Sequence, residues 1–137
     1  MILTILISAL FNLSTTNFIT DYNEALKIAE KENKQILMIF AGSDWCRPCK
    51  RFKASILDSA EFQEYAGKEL VLLYLDFPAK KKNKLSDELK KQNENLAGKY
   101  NQSGLFPHLV LINKKEEVIK TIDFKDQSVD AFISECR

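Results

Sequence analysis

The sequence that decides the fold runs from Ile36 to Lys50, ILMIFAGSDWCRPCK. Its first six residues, Ile36 to Ala41, are all apolar, which predicts a β-strand buried on both faces. A short polar turn follows, and Cys46 and Cys49 then form a Cys-x-x-Cys motif at the predicted start of a helix. Pro48 suits that position, because the first N–H groups of a helix have no partner within the helix.

The rest of the chain predicts helices and strands in alternation. Polar caps and apolar residues at helical spacing predict helices that begin at positions 21, 46, 59, 86 and 128, the third of them ending at position 65. Short apolar runs predict strands at 36–41, 70–77, 108–112 and 117–124. This order indicates an α/β domain with a central mixed sheet and helices on both faces. The two long connections are expected to join parallel strands, and the last two strands to form a hairpin.

Composition restricts the function further. The chain has 137 residues, enough for one domain, and 20 basic against 19 acidic residues give a net charge of +1. This balance does not favour binding to nucleic acid or to an anionic membrane. The basic run at positions 80–84 is interpreted as a solvated loop. No apolar segment is left without a place in the core, so a monomer is expected.

The N-terminal segment differs from the rest of the chain. Residues 1–13, MILTILISALFNL, are apolar but shorter than the ~20 residues that span a bilayer. Such a run is typical of a signal peptide, although no basic residue precedes it and no A-x-A cleavage site follows. We therefore predict a signal peptide or apolar segment at 1–18 and a domain at 19–137. The protein is therefore expected to be exported to a periplasm. The alternative is that the apolar segment is a buried β-strand of a cytoplasmic protein.

The three cysteines do not fit a disulfide framework, because their number is odd and small. A Cys-x-x-Cys pair can be a redox pair, a structural disulfide or half of a zinc site. Its position favours a redox pair, because the positive end of a helix dipole stabilises a thiolate at Cys46. Arg47 and Lys50 add positive charge, and Cys49, one turn into the helix, could then attack a mixed disulfide.

A metal site is the alternative from a different class of protein. A structural zinc site needs about four ligands, and the chain offers Cys46, Cys49, Cys136 and His108. That set would require the C-terminal helix to reach the Cys-x-x-Cys motif. A second form of the metal-site hypothesis is a binding module for a soft metal such as Cu(I), with Cys46, Cys49 and His108 as its ligands. No metal and no cofactor are predicted.

Two motifs together resemble the thioredoxin family. The segment Trp45–Lys50 closely resembles its active-site motif, and Phe106-Pro107 ahead of a strand resembles its cis-proline. The resemblance covers residues 21–137. The segment from Phe40 to Cys46 is more similar to exported thioredoxin-like proteins of Bacteroidetes-type bacteria than to cytosolic thioredoxin.

This resemblance implies a role for each motif residue. Cys46 would be the attacking thiol and Cys49 the resolving one. Pro107 would be cis, align the substrate backbone and keep metals away from the pair, and Trp45 would shield the disulfide. The residues expected to support the site or contact substrate are Trp45, Arg47, Pro48, Phe106, Pro107 and His108.

Three positions depart from the family's pattern. Thioredoxin has a buried Asp on the strand before the motif, and six residues before Cys46 this chain has Phe40. The proton transfer that this Asp assists in thioredoxin would then have no residue to perform it, or would be carried out by Asp44 or by water. Arg47 replaces Gly, and His108 replaces the usual Thr. His108 could tune the thiolate or bind substrate. The alternative is that it has no functional role.

The sequence therefore predicts a thiol–disulfide oxidoreductase, with reduction of disulfides in exported proteins as its favoured activity. A disulfide oxidase or isomerase is the alternative within the same fold. The expected partners are disulfide-bearing proteins and an upstream thiol donor such as a membrane reductase.

Overall fold

The computed structural model describes residues 17–137, in which helices and strands alternate. The helices are α1 (Tyr22–Glu32), α2 (Arg47–Phe52), α3 (Ala60–Glu69), α4 (Asp87–Tyr100) and α5 (Val129–Cys136). The strands are β1 (Gln35–Ala41), β2 (Leu70–Asp76), β3 (His108–Ile112) and β4 (Val118–Ile122). A π-helical turn, Lys53–Leu57, continues α2, and a 3-10 turn, Lys81–Asn83, lies between β2 and α4.

Each of these helices begins at a side chain that accepts a backbone N–H three residues further on. The capping residues are Asp21, Cys46, Ser59, Ser86 and Ser128. They satisfy N–H groups that would otherwise lack a partner, and they match the predicted starts. The end of α3 differs from the prediction. The helix continues to Glu69, because Leu70 is already extended and begins β2 without a loop.

The strands form one mixed sheet in the order β2-β1-β3-β4. β1 is parallel to β2, with Ala41 opposite Asp76. It is antiparallel to β3, with Phe40 opposite His108. β3 and β4 form the predicted antiparallel hairpin. The predicted α/β class with a central mixed sheet is confirmed.

The predicted direction of β3 is wrong. Both long connections were expected to join parallel strands, but β3 runs antiparallel to β1. The registers place the end of β2, at Asp76, and the start of β3, at His108, at the same end of the sheet. The connection contains α4 between two long loops, 77–86 and 101–107, which together return the chain to the end that it left. A crossover helix fixes strand direction only when its loops are too short for such a return.

The helices cover both faces of the sheet. We call the face covered by α2, α3 and α5 the cysteine face, because Cys46 and Cys49 are buried in its core. The face covered by α1 and α4 is called the far face. Side chains of β1 alternate between them: Leu37, Ile39 and Ala41 lie on the cysteine face, and Ile36, Met38 and Phe40 on the far face. The whole apolar run Ile36 to Ala41 is therefore buried, as expected for a central strand.

Phe18 and Ile19, just before α1, lie along the outer edge of β2. The N–H of Ile19 donates to the carbonyl of Leu72, and the N–H of Tyr74 donates to the carbonyl of Ile19, both at 2.8 Å. The rings of Phe18 and Tyr74 pack edge to face, 5.4 Å apart. Residues 1–16 lie outside the described part, so the boundary at residue 18 stays a prediction. Within residues 17–137, no helix is long and apolar enough to cross a membrane.

Replacement of Phe132 tests the core of the cysteine face. Its ring is fully buried and packs edge to face against Phe52 and Phe62. We expect Phe132→Ala to lower the free energy of unfolding by about 3–5 kcal/mol in urea titrations, because it leaves a cavity under α5. The exposed Leu105→Ala should change it by about 0.5 kcal/mol or less. Equal losses in the two variants would contradict this description of the core.

Candidate active site

Cys46 and Cys49 form a disulfide at the start of α2. Their Cα atoms are 5.2 Å apart, and the two residues are only 4% and 3% exposed. Cys46 is the cap of α2, and its Sγ accepts the N–H of Cys49 at 3.3 Å. The Cys46 N–H donates in turn to the carbonyl of Gly42 at 2.9 Å, which closes the turn after β1. The two predicted redox cysteines are therefore bonded to each other, and backbone hydrogen bonds fix Cys46.

The residues between and after the cysteines face solvent. Arg47 and Pro48 open α2 and are exposed, as is Lys50. Pro48 costs no intrahelical hydrogen bond there, because the first helical N–H groups lack partners. Arg47 and Lys50 form no salt bridge within residues 17–137, whereas Arg51 pairs with Asp126. Free cationic groups therefore surround the disulfide at the surface.

Trp45 forms one side of the site. Its indole is 48% exposed, and its Nε1–H donates to the carbonyl of Phe77 at 2.7 Å. The indole meets the ring of Phe106 edge to face at 5.5 Å, and Phe106 meets Phe77 in the same way at 5.2 Å. We call Trp45, Phe77 and Phe106 the aromatic cluster. A Cβ at Gly42 would overlap the indole, so only glycine allows this packing.

The loop before β3 brings Phe106 and Pro107 to this end of the sheet. The Phe106–Pro107 peptide bond is cis, and both residues are half-buried. The buried side chain of Asn101 holds the loop: it donates to the carbonyl of Leu105 at 2.9 Å and accepts the Leu105 N–H at 3.1 Å. Asn101 was not predicted as a site residue, although an Asn between a helix and a Pro-containing loop is a turn signal in the sequence.

His108 points away from the cysteines. It pairs with Phe40 on β1, its ring lies 6.0 Å from the Phe40 ring, and its Nε2 lies 3.1 Å from the carbonyl oxygen of Tyr100. Tyr100 belongs to α4, and both it and Phe40 lie in the core of the far face. The structure therefore does not bring His108 together with Cys46 and Cys49.

β1 carries no acidic side chain on either face. Phe40 lies on the far face, whereas the β1 side chains on the cysteine face are Leu37, Ile39 and Ala41. All three are apolar and buried. No carboxylate of β1 is therefore available to exchange protons with Cys49.

Asp44 does not replace the missing buried acid. It accepts the backbone N–H groups of Ala79 and Lys80, at 2.9 and 3.0 Å, and the side-chain amide of Asn83 at 2.9 Å. These hydrogen bonds, with the Ala79 N–H first among them, lower the pKa of Asp44 from 3.8 to about 2. Asp44 is therefore a weak base, and its carboxylate is occupied by donors from the loop after β2. Its visible role is to hold the loop after β2.

Asp76, at the end of β2, holds the turn from the other side. Its carboxylate accepts the N–H of Ser43 at 2.9 Å and the Ser43 hydroxyl at 2.6 Å. Asp76 is the last residue of β2 and lies directly opposite Ala41, the last residue of β1. The turn between β1 and α2 is thus fixed by Asp76 and by Trp45, and neither contact was predicted from the sequence.

Cys136 lies far from the redox pair. It is a buried free thiol, 2% exposed, beside a cavity that Gln35 also lines. Gln35 begins β1, whereas Cys46 follows its end, and a seven-residue strand is about 20 Å long. No group of three or more His, Cys, Asp or Glu side chains in residues 17–137 is arranged to hold a metal ion. The Cys3His combination considered from the sequence is not brought together.

The comparisons with known proteins identify the class. The sequence model of the family described as thioredoxin-like matches residues 17–114, more than half of the chain. The chain therefore belongs to the thioredoxin-like family, with the fold and the Cys-x-x-Cys site described above.

The relatives narrow this to one type. The chain is 34% identical over 116 residues to the disulfide bond reductase DsbH of Chlamydia pneumoniae, covering 85% of this chain and 68% of that protein. It is 29% identical over 102 residues to the thioredoxin-related protein DsbJ of Chlamydia pneumoniae, covering 74% of this chain but only 28% of DsbJ. The chain is thus similar to DsbH-type thiol–disulfide oxidoreductases. The finer resemblance to proteins of Bacteroidetes-type bacteria stays a prediction.

Solved structures agree with this assignment. The structure of a DsbH oxidoreductase superposes with a TM-score of 0.80 at 29% identity, covering 96% of this chain and 90% of that one. A thioredoxin from Thermus thermophilus superposes with a TM-score of 0.66 at 16% identity, covering 88% and 85%. The second likeness shows the fold alone. The chain is a thiol–disulfide oxidoreductase of the DsbH type.

Removal of the Asp44 charge should release the loop after β2. An amide in Asp44→Asn offers one acceptor oxygen, and its NH2 group meets N–H donors, so we expect faster tryptic cleavage at Lys80 to Lys84. Asp123→Asn is the control, since that carboxylate makes no hydrogen bond in residues 17–137. Because folding lowers the pKa of Asp44, its stabilising effect is present above pH 4 and is lost as the pH falls towards 2. Unchanged cleavage of Asp44→Asn would contradict this role.

Cys136 should not react in the folded protein. Burial raises the pKa of its thiol to about 12, so almost none is thiolate at pH 8. After reduction, the native chain should take up iodoacetamide at Cys46 and Cys49 only, and a third label should appear in mass spectra after denaturation. Cys136→Ser should lose only that third label. A third label on the native chain would contradict the described burial.

Proposed function

We propose that this chain reduces disulfide bonds of exported proteins, with Cys46 as the attacking thiol and Cys49 as the resolving thiol. The observation that carries this proposal is the position of the Cys46 sulfur, which caps α2 and accepts the N–H of Cys49. Donors aimed at a sulfur stabilise its thiolate, and thiolates are the nucleophiles of disulfide exchange. The similarity to a protein named disulfide bond reductase supports the direction of reaction.

The reaction transfers two electrons from the chain to its substrate. The Cys46 thiolate attacks one sulfur of the substrate disulfide, and the other substrate sulfur leaves as a thiolate and takes a proton. The resulting mixed disulfide joins Cys46 to the substrate. Deprotonated Cys49 then attacks the Cys46 sulfur, the second substrate thiolate is released, and Cys46 and Cys49 end as a disulfide. An external dithiol donor must reduce them again.

The proton of Cys49 has a route to solvent in this proposal. A cavity of about 380 Å³ is lined by Cys49, Ser43, Lys50 and Lys53, and it is large enough for several water molecules. The β1 side chains on the cysteine face carry no acid. Water in this cavity would therefore accept the Cys49 proton, and the ammonium of Lys50 would favour the charged thiolate.

Substrate would bind across the exposed apolar surface beside the disulfide. Trp45 and Leu105 are about half exposed, and the half-buried Phe106 and Pro107 follow Leu105 in the loop before β3. Because Cys46 is nearly buried, only an extended segment of substrate can bring its disulfide close enough for attack. In this proposal Trp45, Phe106 and Pro107 position that segment, and His108 does not take part.

Export and partners complete the proposal. The apolar run in residues 1–13 supports a signal peptide, hence a periplasmic protein that receives electrons from a thiol donor such as a membrane reductase. Its substrates would be exported proteins with disulfides that require reduction.

A redox titration of the full chain tests the direction. We expect a reversible two-electron couple for Cys46 and Cys49 near about −270 mV in dithiol buffers, read by mass-tagging the thiols. Cys49→Ser should trap a mixed disulfide with substrate through Cys46, whereas Cys46→Ser should trap none. A couple near about −120 mV would instead identify a disulfide oxidase. No exchange at all would reject the oxidoreductase mechanism.

A further inference from the structure

The loop between β2 and α4 is strongly basic and exposed. We call residues 77–86 the lysine loop, because Lys80, Lys81, Lys82 and Lys84 are all exposed there. Lys81, Lys82 and Lys84 form no salt bridge within 4.0 Å among the residues that the structure describes. Their charges are therefore available to a partner.

The lysine loop is fixed next to the redox pair. Asp44 accepts hydrogen bonds from the backbone of Ala79 and Lys80, and the indole of Trp45 donates to the Phe77 carbonyl. Asp44 and Trp45 immediately precede Cys46 in the sequence. These contacts hold the backbone of the lysine loop at a defined position beside the site, which a mobile tail would not do.

A cavity lies beside the lysine loop. It measures about 300 Å³, and the charged residues that line it are Lys80, Lys81, Lys84, Lys90, Asp76 and Glu94. The lining thus carries four lysines and two carboxylates, and one of the lysines, Lys90, already pairs with Glu94 at 3.9 Å. The cavity lining therefore keeps a net positive charge.

This positive charge is local. Residues 77–100 contain seven lysines and three acidic residues, whereas the whole chain has a net charge of only +1. The remainder of the chain is therefore net negative. Exposed charges act over about 8–10 Å at physiological salt, so the lysine loop attracts anions that come near the site.

We propose that the lysine loop binds an acidic segment next to the cysteine of a disulfide-bearing protein substrate. The inference rests on the proposed function and adds a substrate class to it. An extended substrate lying over the aromatic cluster continues towards Phe77, which belongs both to that cluster and to the lysine loop. Carboxylates on that segment meet Lys81, Lys82 and Lys84. Electrostatic attraction of this kind raises association rates and selects partners more than it raises final affinity.

The experiment uses three disulfide peptides that differ only in the residues next to the disulfide cysteine. These residues are four Glu in the Glu peptide, four Gln in the Gln peptide and four Lys in the Lys peptide. The reduced full chain should reduce the Glu peptide about tenfold faster than the Gln peptide at low salt, and the Lys peptide more slowly. The triple variant Lys81→Gln, Lys82→Gln, Lys84→Gln should lose this preference while its rate on the Gln peptide stays unchanged. At 0.5 M salt the preference of the original chain should also disappear.

The matched control is Lys31→Gln, Lys68→Gln, Lys115→Gln. It changes the net charge by the same amount, but its positions lie in α1, in α3 and in the β3–β4 turn, at the other end of the sheet. It should keep the preference for the Glu peptide. Equal losses in both triple variants, or equal rates on all three peptides at low salt, would overturn the inference.

A binding measurement separates this inference from the proposed function. A Glu peptide with serine in place of cysteine should bind the oxidised chain, and the lysine-loop variant should bind it several-fold more weakly in fluorescence anisotropy. Reduction of no peptide, with selective Glu binding retained, would reject the reductase activity and keep the acidic-segment site. Binding to anionic vesicles without binding to the Glu peptide would reject a protein partner.

Discussion

The structure depends on β1 being buried on both faces and hydrogen-bonded to a strand on each side. The chain leaves the core at the C-terminal end of this central strand. The turn after Ala41 therefore has a fixed origin, and Asp76 and Gly42 hold it at its first residues. Cys46 enters α2 from that turn, so the position of the reactive sulfur follows from the position of β1.

The side chains of β1 contact different groups on the two faces of the sheet. Side chains of β1 that face Cys49 are apolar, whereas the polar and aromatic pair His108 and Phe40 lies on the far face. The sheet separates the only histidine of the chain from the disulfide. A buried charge beside the cysteines would be costly in this apolar core without a partner, and the structure places none there.

Local patterns in the sequence were sufficient for the elements and for the redox pair. Caps and periodicity located the start of each α-helix in residues 17–137, and the Cys-x-x-Cys motif at a helix start located the site. Features that depend on contacts distant in sequence were missed. The direction of β3 is set by loops that return the chain. The hydrogen bonds from Ser43 to Asp76 and from Trp45 to Phe77 join residues 33 and 32 positions apart. The role of Asp44 is set by the loop 35 residues further on.

The stability of the Cys46 thiolate should come mainly from the backbone. Arg47 and Lys50 are exposed, and two unit charges 4 Å apart in bulk water interact by only about 1 kcal/mol. The N–H of Cys49, in contrast, meets the sulfur in a buried setting where hydrogen bonds to a charged acceptor contribute about 1.5–3 kcal/mol. The two basic side chains are then free to influence which partner approaches. The identity of Arg47, one of the two residues between the cysteines, therefore matters more for recognition than for thiolate formation.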